Sequence, residues 1–475
     1  MYRIIIRVKV IGGTMRKRGN KKKKHLIFII VMVVLFTLGY VVIHNVIDSK
    51  DRANNGNQNS TAQTSQNTSS DSSSISASSS PSRVNSPTEI SPSTATISDN
   101  IDPIKAQIEK MSLEEKLGQL VVVGVNGYEN DEHSKQLMEK YHVGGFILFK
   151  RNIQDAKQML ALLNSLKETN SSQETNSSQG AKIKNKVPLF LSVDEEGGRV
   201  SRMPEEFLKF PTNKAIGKLN DSALSYQVGS IIGEELKSFG FNMNFAPVLD
   251  INSNPKNPVI GDRSFGSEES IVTKLGIQTM KGLQDQNIIS VVKHFPGHGD
   301  TSVDSHKGLP TVNNDIDRLN SFELIPFSAA IKNNVDAIMI AHILLPKIDP
   351  NYPASFSKTI ITDILRTNMN FDGVVITDDF TMGAIVKNYD IGQAAVKSIV
   401  AGSDIVLVCH DFDKEEAVIK ALQNAARTGA ISLDRLNQSV YRILKLKQKY
   451  MLSNETIEEA DVQIINDKIK ALFNK

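Results

Sequence analysis

The stretch IISVVKHFPGHGDTSVDSH, residues 288–306, begins as a strand and ends as a polar loop. From Ile288 to Phe295 it is nearly continuous in Ile, Val and Phe, as a strand buried on both faces must be. From Lys293 onward it delivers three histidines (His294, His298, His306), two aspartates (Asp300, Asp304) and the lysine itself. One apolar strand with a polar end decides nothing; its recurrence decides the fold. Seven further runs have the same character: LGQLVVVGV (117–125), VGGFILF (143–149), PLFLSVD (188–194), FNMNFAPVLDI (241–251), VDAIMIAH (335–342), GVVITDD (373–379) and DIVLVC (404–409). Amphipathic stretches such as 225–240 and 270–286 lie between them, each ending near a turn residue. Eight such strand–helix units predict an α/β fold, a (β/α)8 TIM-like barrel. The rival is an open doubly wound sheet. The barrel is expected because Asp194, Asp250, Lys293 with His294, His342, Asp378 and His410 all fall at strand C-terminal ends, which in a barrel share one face.

The rest of the 475-residue chain reads differently. Residues 1–47 carry ten Lys and Arg and no acid, with the 18-residue apolar run Leu26 to Ile43 inside them. A bilayer core takes about 20 apolar helical residues, so a basic cytoplasmic tail (1–25) and a transmembrane signal anchor (26–47) are expected, with the remainder outside the cell. A cleaved signal peptide is the rival, and Met15, opening MRKRGNKKKK, is an alternative start. Residues 48–100 are almost wholly Ser, Thr, Asn, Gln and Pro, a composition that cannot offset the entropy of ordering; a flexible linker is expected. The barrel is placed at 101–455 and a C-terminal helical extension at 456–475. A tandem ETNSSQ at 168–179 reads as a surface-loop insertion.

Setting aside the ten tail cations leaves 45 Lys and Arg against 52 Asp and Glu, a net charge of −7, which argues against nucleic-acid binding. The single Cys409 precludes a disulfide within the chain. A monomer, attached to the cell membrane by one helix, is the expected state.

The polar end of the opening stretch has three readings. His294 and His298 have the i, i+4 spacing of helical zinc ligands, but Pro296, Gly297 and Gly299 oppose a helix there. Alternatively Asp304 holds one nitrogen of His306 and leaves the other for proton transfer, work to which an ordinary imidazole pKa of about 6.5 is suited. The third reading is a solvated loop. Asp378, ending the seventh strand, is a candidate nucleophile to set opposite His306, while the adjacent Asp379 is expected to cap the following helix.

Five segments, SVDEEGGRVSR (192–202), NFAPVLDI (244–251), GDRSFG (261–266), KHFPGHGDTSVDSH (293–306) and VVITDDFTMGAI (374–385), in this order resemble the β-N-acetylglucosaminidases of glycoside hydrolase family 3. The resemblance covers most of 100–450. It implies Asp378 as nucleophile, His306 as general acid/base and Asp304 as its orienting partner. It implies further that Asp194, Arg202, Arg263, Lys293 and His294 grip a terminal N-acetylglucosamine, with no metal and no cofactor. The implied substrate is an N-acetylglucosamine-containing glycan or muropeptide from the cell wall. Glu195 stands where many relatives have Gln. A phosphorylase using the same two groups, and a non-catalytic wall-binding protein, are the alternative functions.

Overall fold

A computed structural model describes residues 102–172, 175–176, 182–183 and 187–473. The basic tail, the apolar run and the whole of the Ser/Thr-rich segment lie outside the described residues. Within them no helix is long and apolar enough to cross a membrane.

Eight parallel strands close into a barrel: β1 (Val121–Gly124), β2 (Gly145–Leu148), β3 (Phe190–Val193), β4 (Met243–Asn244), β5 (Ile289–Phe295), β6 (Ala337–Ile340), β7 (Val374–Asp379) and β8 (Ile405–Val408). Each pairs with its neighbour in sequence, and Val121 opposite Val406 closes the ring between β1 and β8. An open sheet is thereby excluded. Helices cover the outer face while side chains fill the inside, so the strand residues are buried on both sides; this is why the runs are apolar rather than alternating.

The fourth run is the one whose strand is much shorter than its apolar span. Its regular ladder covers Met243–Asn244, and pairing with β5 resumes as a single bridge of Val248 with Lys293 after Pro247, which has no N–H to donate. Beyond the ladder, the Asn244 side chain takes over pairing with the β3 end: its Nδ2 donates to Glu195 O at 2.8 Å and its Oδ1 accepts from Glu195 N at 2.9 Å. The chain then runs beside β5, with Leu249 N donating to Lys293 O at 2.6 Å, and so carries Asp250 to the barrel mouth.

Helix Ser222–Phe239 starts at Asp221, whose carboxylate accepts from the Ala223 and Leu224 amides, and stops at Gly240 in the left-handed region. It packs along helix Glu269–Asp285, and helix Val462–Phe473 lies across it with Ile465 and Ile469 buried. The ETNSSQ repeat is not wholly loop. Its first copy is absorbed into helix Ala156–Ser172, where buried Asn170 donates to Val187 O and Asn454 Oδ1, and a short antiparallel pair, Thr175–Asn176 with Lys182–Ile183, follows. At the N-terminal end of β8 the buried Asp404 gathers Arg366, Arg435 and Arg442, at 2.6, 3.4 and 3.6 Å. That end of the barrel is held by charge and carries no candidate site residue.

Candidate active site

The C-terminal ends of β3, β5 and β7, with the loops that follow them, build the mouth. Asp194, directly after β3, accepts from Lys293 Nζ at 2.5 Å and faces Arg202 at 3.6 Å. Lys293, on β5, also reaches Glu196 at 2.7 Å. Glu196 in turn holds Arg263 by two bonds, 2.9 Å from Nε and 2.7 Å from Nη2. Burial alone would push the Glu196 carboxyl upward, but Arg263 and Lys293 outweigh it and hold it well below the ordinary carboxylate range. Glu196 stays charged and fixes both cations. Sequence reasoning gave it no role, although it stands two residues after Asp194, the spacing that returns a side chain to the same side of an extended chain.

Arg263 also approaches His294 Nε2 at 3.4 Å, while His294 Nδ1 bonds Asp250 Oδ2 at 2.6 Å. Those two contacts select the tautomer with its proton on Nδ1, because the guanidinium can only donate to Nε2. Asp250 takes two amides as well, from His294 at 3.2 Å and His298 at 2.6 Å. Burial raises its carboxyl, but His294 and then His298 overcome that and leave it lowered. The five positions expected to grip a sugar therefore form one connected cluster. Its turn depends on Gly197 and Gly198, both at positive φ (81° and 58°), where a side chain is strained. Beside Arg202 the Phe149 ring carries the Arg151 guanidinium 4.6 Å from its centre and the His410 ring at 5.0 Å.

Asp378 is the one residue of β7 not fully buried. Its Oδ1 accepts from the Asp379 amide at 2.8 Å. Burial would raise this carboxyl; His342 and His294, the Asp379 amide and His306 together lower it, so it is an anion. Asp379 is occupied otherwise. It accepts from Thr381 N at 2.9 Å, Thr381 Oγ1 at 2.5 Å and Cys409 N at 3.0 Å. The expected helix cap is corrected here: the helix begins only at Gly383, with Met382 in the capping position, and Asp379 instead fastens the turn after β7 to β8. His342, at the end of β6, donates from Nε2 to Asp379 O at 3.0 Å and has Ser355 Oγ 2.8 Å from Nδ1.

The loop after β5 carries Asp304 and His306. Asp304 Oδ1 accepts from the His306 amide at 2.9 Å and lies 3.0 Å from Nδ1. Burial pushes Asp304 up, but these two donations outweigh it and lower the carboxyl. Nε2 is left free to exchange a proton, and with 66% of the side chain exposed His306 is open to an incoming substrate. His298 stiffens the loop from within: its ring lies 2.8 Å from Thr301 Oγ1 and 3.3 Å from Ser305 Oγ, and burial lowers its pKa to about 4, so it is neutral. The loop also docks on the turn after β7. Gly383 N donates to His306 O and Ala384 N to Ser305 O, and a Cβ on Gly383 would lie 2.5 Å from His306 O, which only glycine avoids.

No helix spans His294 and His298, and among the described residues no three His, Cys, Asp or Glu side chains gather as a metal-ligand set.

With this geometry in view, the family model for the glycosyl hydrolase family 3 N-terminal domain matches residues 112–446. The chain belongs to glycosyl hydrolase family 3. Among the family 3 relatives it resembles is beta-hexosaminidase A of Pseudoalteromonas piscicida, 36% identical over 359 residues, 71% of this chain and 58% of that protein. A solved family 3 β-N-acetylglucosaminidase from Paenibacillus sp. str. FPU-7 superposes with a TM-score of 0.70 at 40% identity, covering 76% of this chain and 68% of that one. The β-N-acetylhexosaminidase of Beutenbergia cavernae matches at a TM-score of 0.65 and 28% identity, over 71% of this chain and 99% of that one. In that last comparison a barrel of this kind accounts for nearly the whole partner chain.

Proposed function

We propose that this family 3 glycosidase is a retaining β-N-acetylhexosaminidase that removes terminal β-linked N-acetylglucosamine from wall-derived glycans. The observation that carries it is the pairing of an anionic Asp378 with the Asp304–His306 dyad at one barrel mouth, beside the connected cluster of Asp194, Arg202, Arg263, Lys293 and His294. A carboxylate and several cations can hydrogen-bond many hydroxyls of one ring at once and fix its orientation. Asp378 attacks the anomeric carbon as His306 protonates the departing oxygen, giving a glycosyl ester on Asp378. Water, deprotonated by His306, then breaks the ester and returns the original anomeric configuration. Neither step calls for a metal or cofactor, and every residue comes from one barrel, so a monomer suffices.

Phosphate in place of water is the second reading. The loop offers an exposed imidazole beside the exposed Lys307, and Asp304, the carboxylate both approach, is tied to His306; an incoming anion meets less repulsion than a carboxylate in place of the imidazole would give. Product analysis on a β-linked N-acetylglucosaminyl–anhydromuramyl disaccharide, with and without phosphate, separates the two. Free N-acetylglucosamine in both cases supports the hydrolase; a sugar 1-phosphate formed faster than free sugar would replace it. No turnover of this disaccharide or of a chitooligosaccharide would sink both.

The basic tail and apolar run support a single-pass anchor with the barrel outside the cell. Protease added to intact cells should release the soluble barrel through the Ser/Thr-rich segment; a barrel protected until lysis would place it inside.

A further inference from the structure

Two glutamates that the mechanism leaves idle are both fully buried beside the sugar cluster. Glu195 follows Asp194 and precedes Glu196, and its Oε2 accepts from the Arg202 amide at 2.7 Å. The Ser201 hydroxyl and the Met203 amide bond the same carboxyl, so Glu195 is the post around which the 195–203 turn is wrapped. Lys150 holds the far side of that turn through Met203 O at 2.9 Å. Glu235, buried on helix Ser222–Phe239, is near enough for the Glu195 charge to act on it, and its Oε2 has no hydrogen-bond partner. The Arg202 Nε is likewise buried without a partner. The Arg202 guanidinium acts on Glu195 from its own loop, whereas burial and the Glu195 charge are what act on Glu235. Two buried carboxylates so placed cannot both be charged, so the pair keeps at least one proton at neutrality.

We propose that Glu195 and Glu235 form a proton-holding carboxyl pair whose charge state sets the grip of the 195–203 turn, and through it the placement of Arg202 against the terminal sugar. With Glu195 ionised, its oxygens accept from the Arg202 and Met203 amides and from Ser201 together, and the turn is tight. With both carboxyls protonated, Glu195 is a neutral and weaker acceptor for these donors, and the turn loosens. Burial pushes Glu195 up to about 7 against the pull of those three donors, and pushes Glu235 well above its ordinary range with the Glu195 charge adding to it. The exchange therefore falls at neutral pH, with Glu195 as the partner that changes. Glu195 and Glu235 are positioning residues; neither touches the sugar.

This inference rests on reading Arg202 as a sugar contact, and the experiment keeps the two apart. KM and kcat for a nitrophenyl β-N-acetylglucosaminide are measured from pH 6 to 8 in the wild type, Glu195→Gln and Glu235→Gln, and the infrared carboxylic-acid band is titrated in each without substrate. The wild-type KM should fall roughly three- to tenfold as pH rises, the worth of one hydrogen bond, while kcat shows no matching step. Glu195→Gln should abolish both the KM step and the titrating band. Glu235→Gln, with a permanent N–H donor and no like charge, should keep the step and move it to lower pH. A wild-type KM flat across this range, the same step surviving in Glu195→Gln, or no titrating band would overturn the proposal. If the band titrates as described while Arg202→Lys leaves KM unchanged, the fault lies in the assignment of Arg202 to the sugar.

Discussion

The Asp379 amide donates to Oδ1 of Asp378 at 2.8 Å, so Asp379 steadies its neighbour through its backbone while spending its own carboxylate elsewhere. Neighbouring aspartates at one strand end thus have unlike duties. Asp378→Ala should abolish turnover, by on the order of 10⁴-fold or more, for good and poor leaving groups alike. Asp379→Asn keeps the backbone donor but weakens the tie to Thr381 and Cys409, and should lower the melting temperature more than it lowers kcat. Trapping of covalent sugar by Asp378→Ala, detected by mass spectrometry, would transfer the nucleophile's role.

His306→Ala should cost about 10²–10⁴ in rate on a substrate with a poor leaving group, the usual worth of general acid–base help. On a nitrophenyl glycoside the first step needs little protonation, so a burst followed by slow turnover is expected, and azide should restore turnover by yielding a β-glycosyl azide. Asp304→Asn should show a milder form of the same profile, because it leaves the imidazole in place and removes only the charge that orients Nδ1. Near wild-type rates for His306→Ala on the poor substrate would refute the assignment.

Lys293 is buried between Asp194 and Glu196, and its loss leaves two carboxylates facing one another without it. Lys293→Ala should destabilise the fold by about 3 kcal/mol and raise KM by an order of magnitude or more. The double variant Lys293→Met with Glu196→Gln removes a charge of each sign and should recover stability without recovering KM. Denaturant titration and steady-state kinetics on the pair check this; recovery of both together would mean that Lys293 is structural only.

Glu415 lies under the mouth with its carboxyl accepting from Gly124 N at 3.2 Å, and burial raises its pKa to about 8. The unfolded chain releases this proton near the ordinary 4.5, whereas the folded chain keeps it. Folding stability should therefore decline as pH climbs from about 4.5 and reach its lower level beyond about 8. Glu415→Gln keeps an acceptor for Gly124 and removes the titration. Compared with wild type it should gain stability at pH 8.5 relative to pH 6; melting temperatures that run parallel at the two values would contradict this.

The barrel could be read from the sequence because eight buried strands each demand an apolar run, and because their polar ends share a face only when the sheet closes. The positions of Asp378, His306 and Asp304 at the barrel mouth were legible for a similar reason: each lies at or just beyond a strand end, in a segment too polar for the core. Glu196 was less visible, since its role depends on Arg263 and Lys293 arriving from distant segments, and no local pattern signals an ion pair 67 residues apart. His342 was seen at its strand end but its bonds to Asp379 O and Ser355 arise from tertiary packing alone. The short β4 was misjudged by length, because apolar residues persist past Pro247 for the sake of the core after the ladder has stopped.

The contact between the β5 loop and the turn after β7 has a consequence for transplantation. The carbonyls of Ser305 and His306 are satisfied by amides of Ala384 and Gly383, so His306 and Asp378 are carried on two pieces that complete each other. A graft of residues 294–310 onto another barrel would arrive with those carbonyls unmet and, where the recipient has any side chain in place of Gly383, with no room to sit. Moved together with 378–387, the segments bring their own docking surface. In recombination the two would be inherited as a unit or fail separately, although nearly seventy residues and a whole barrel strand stand between them.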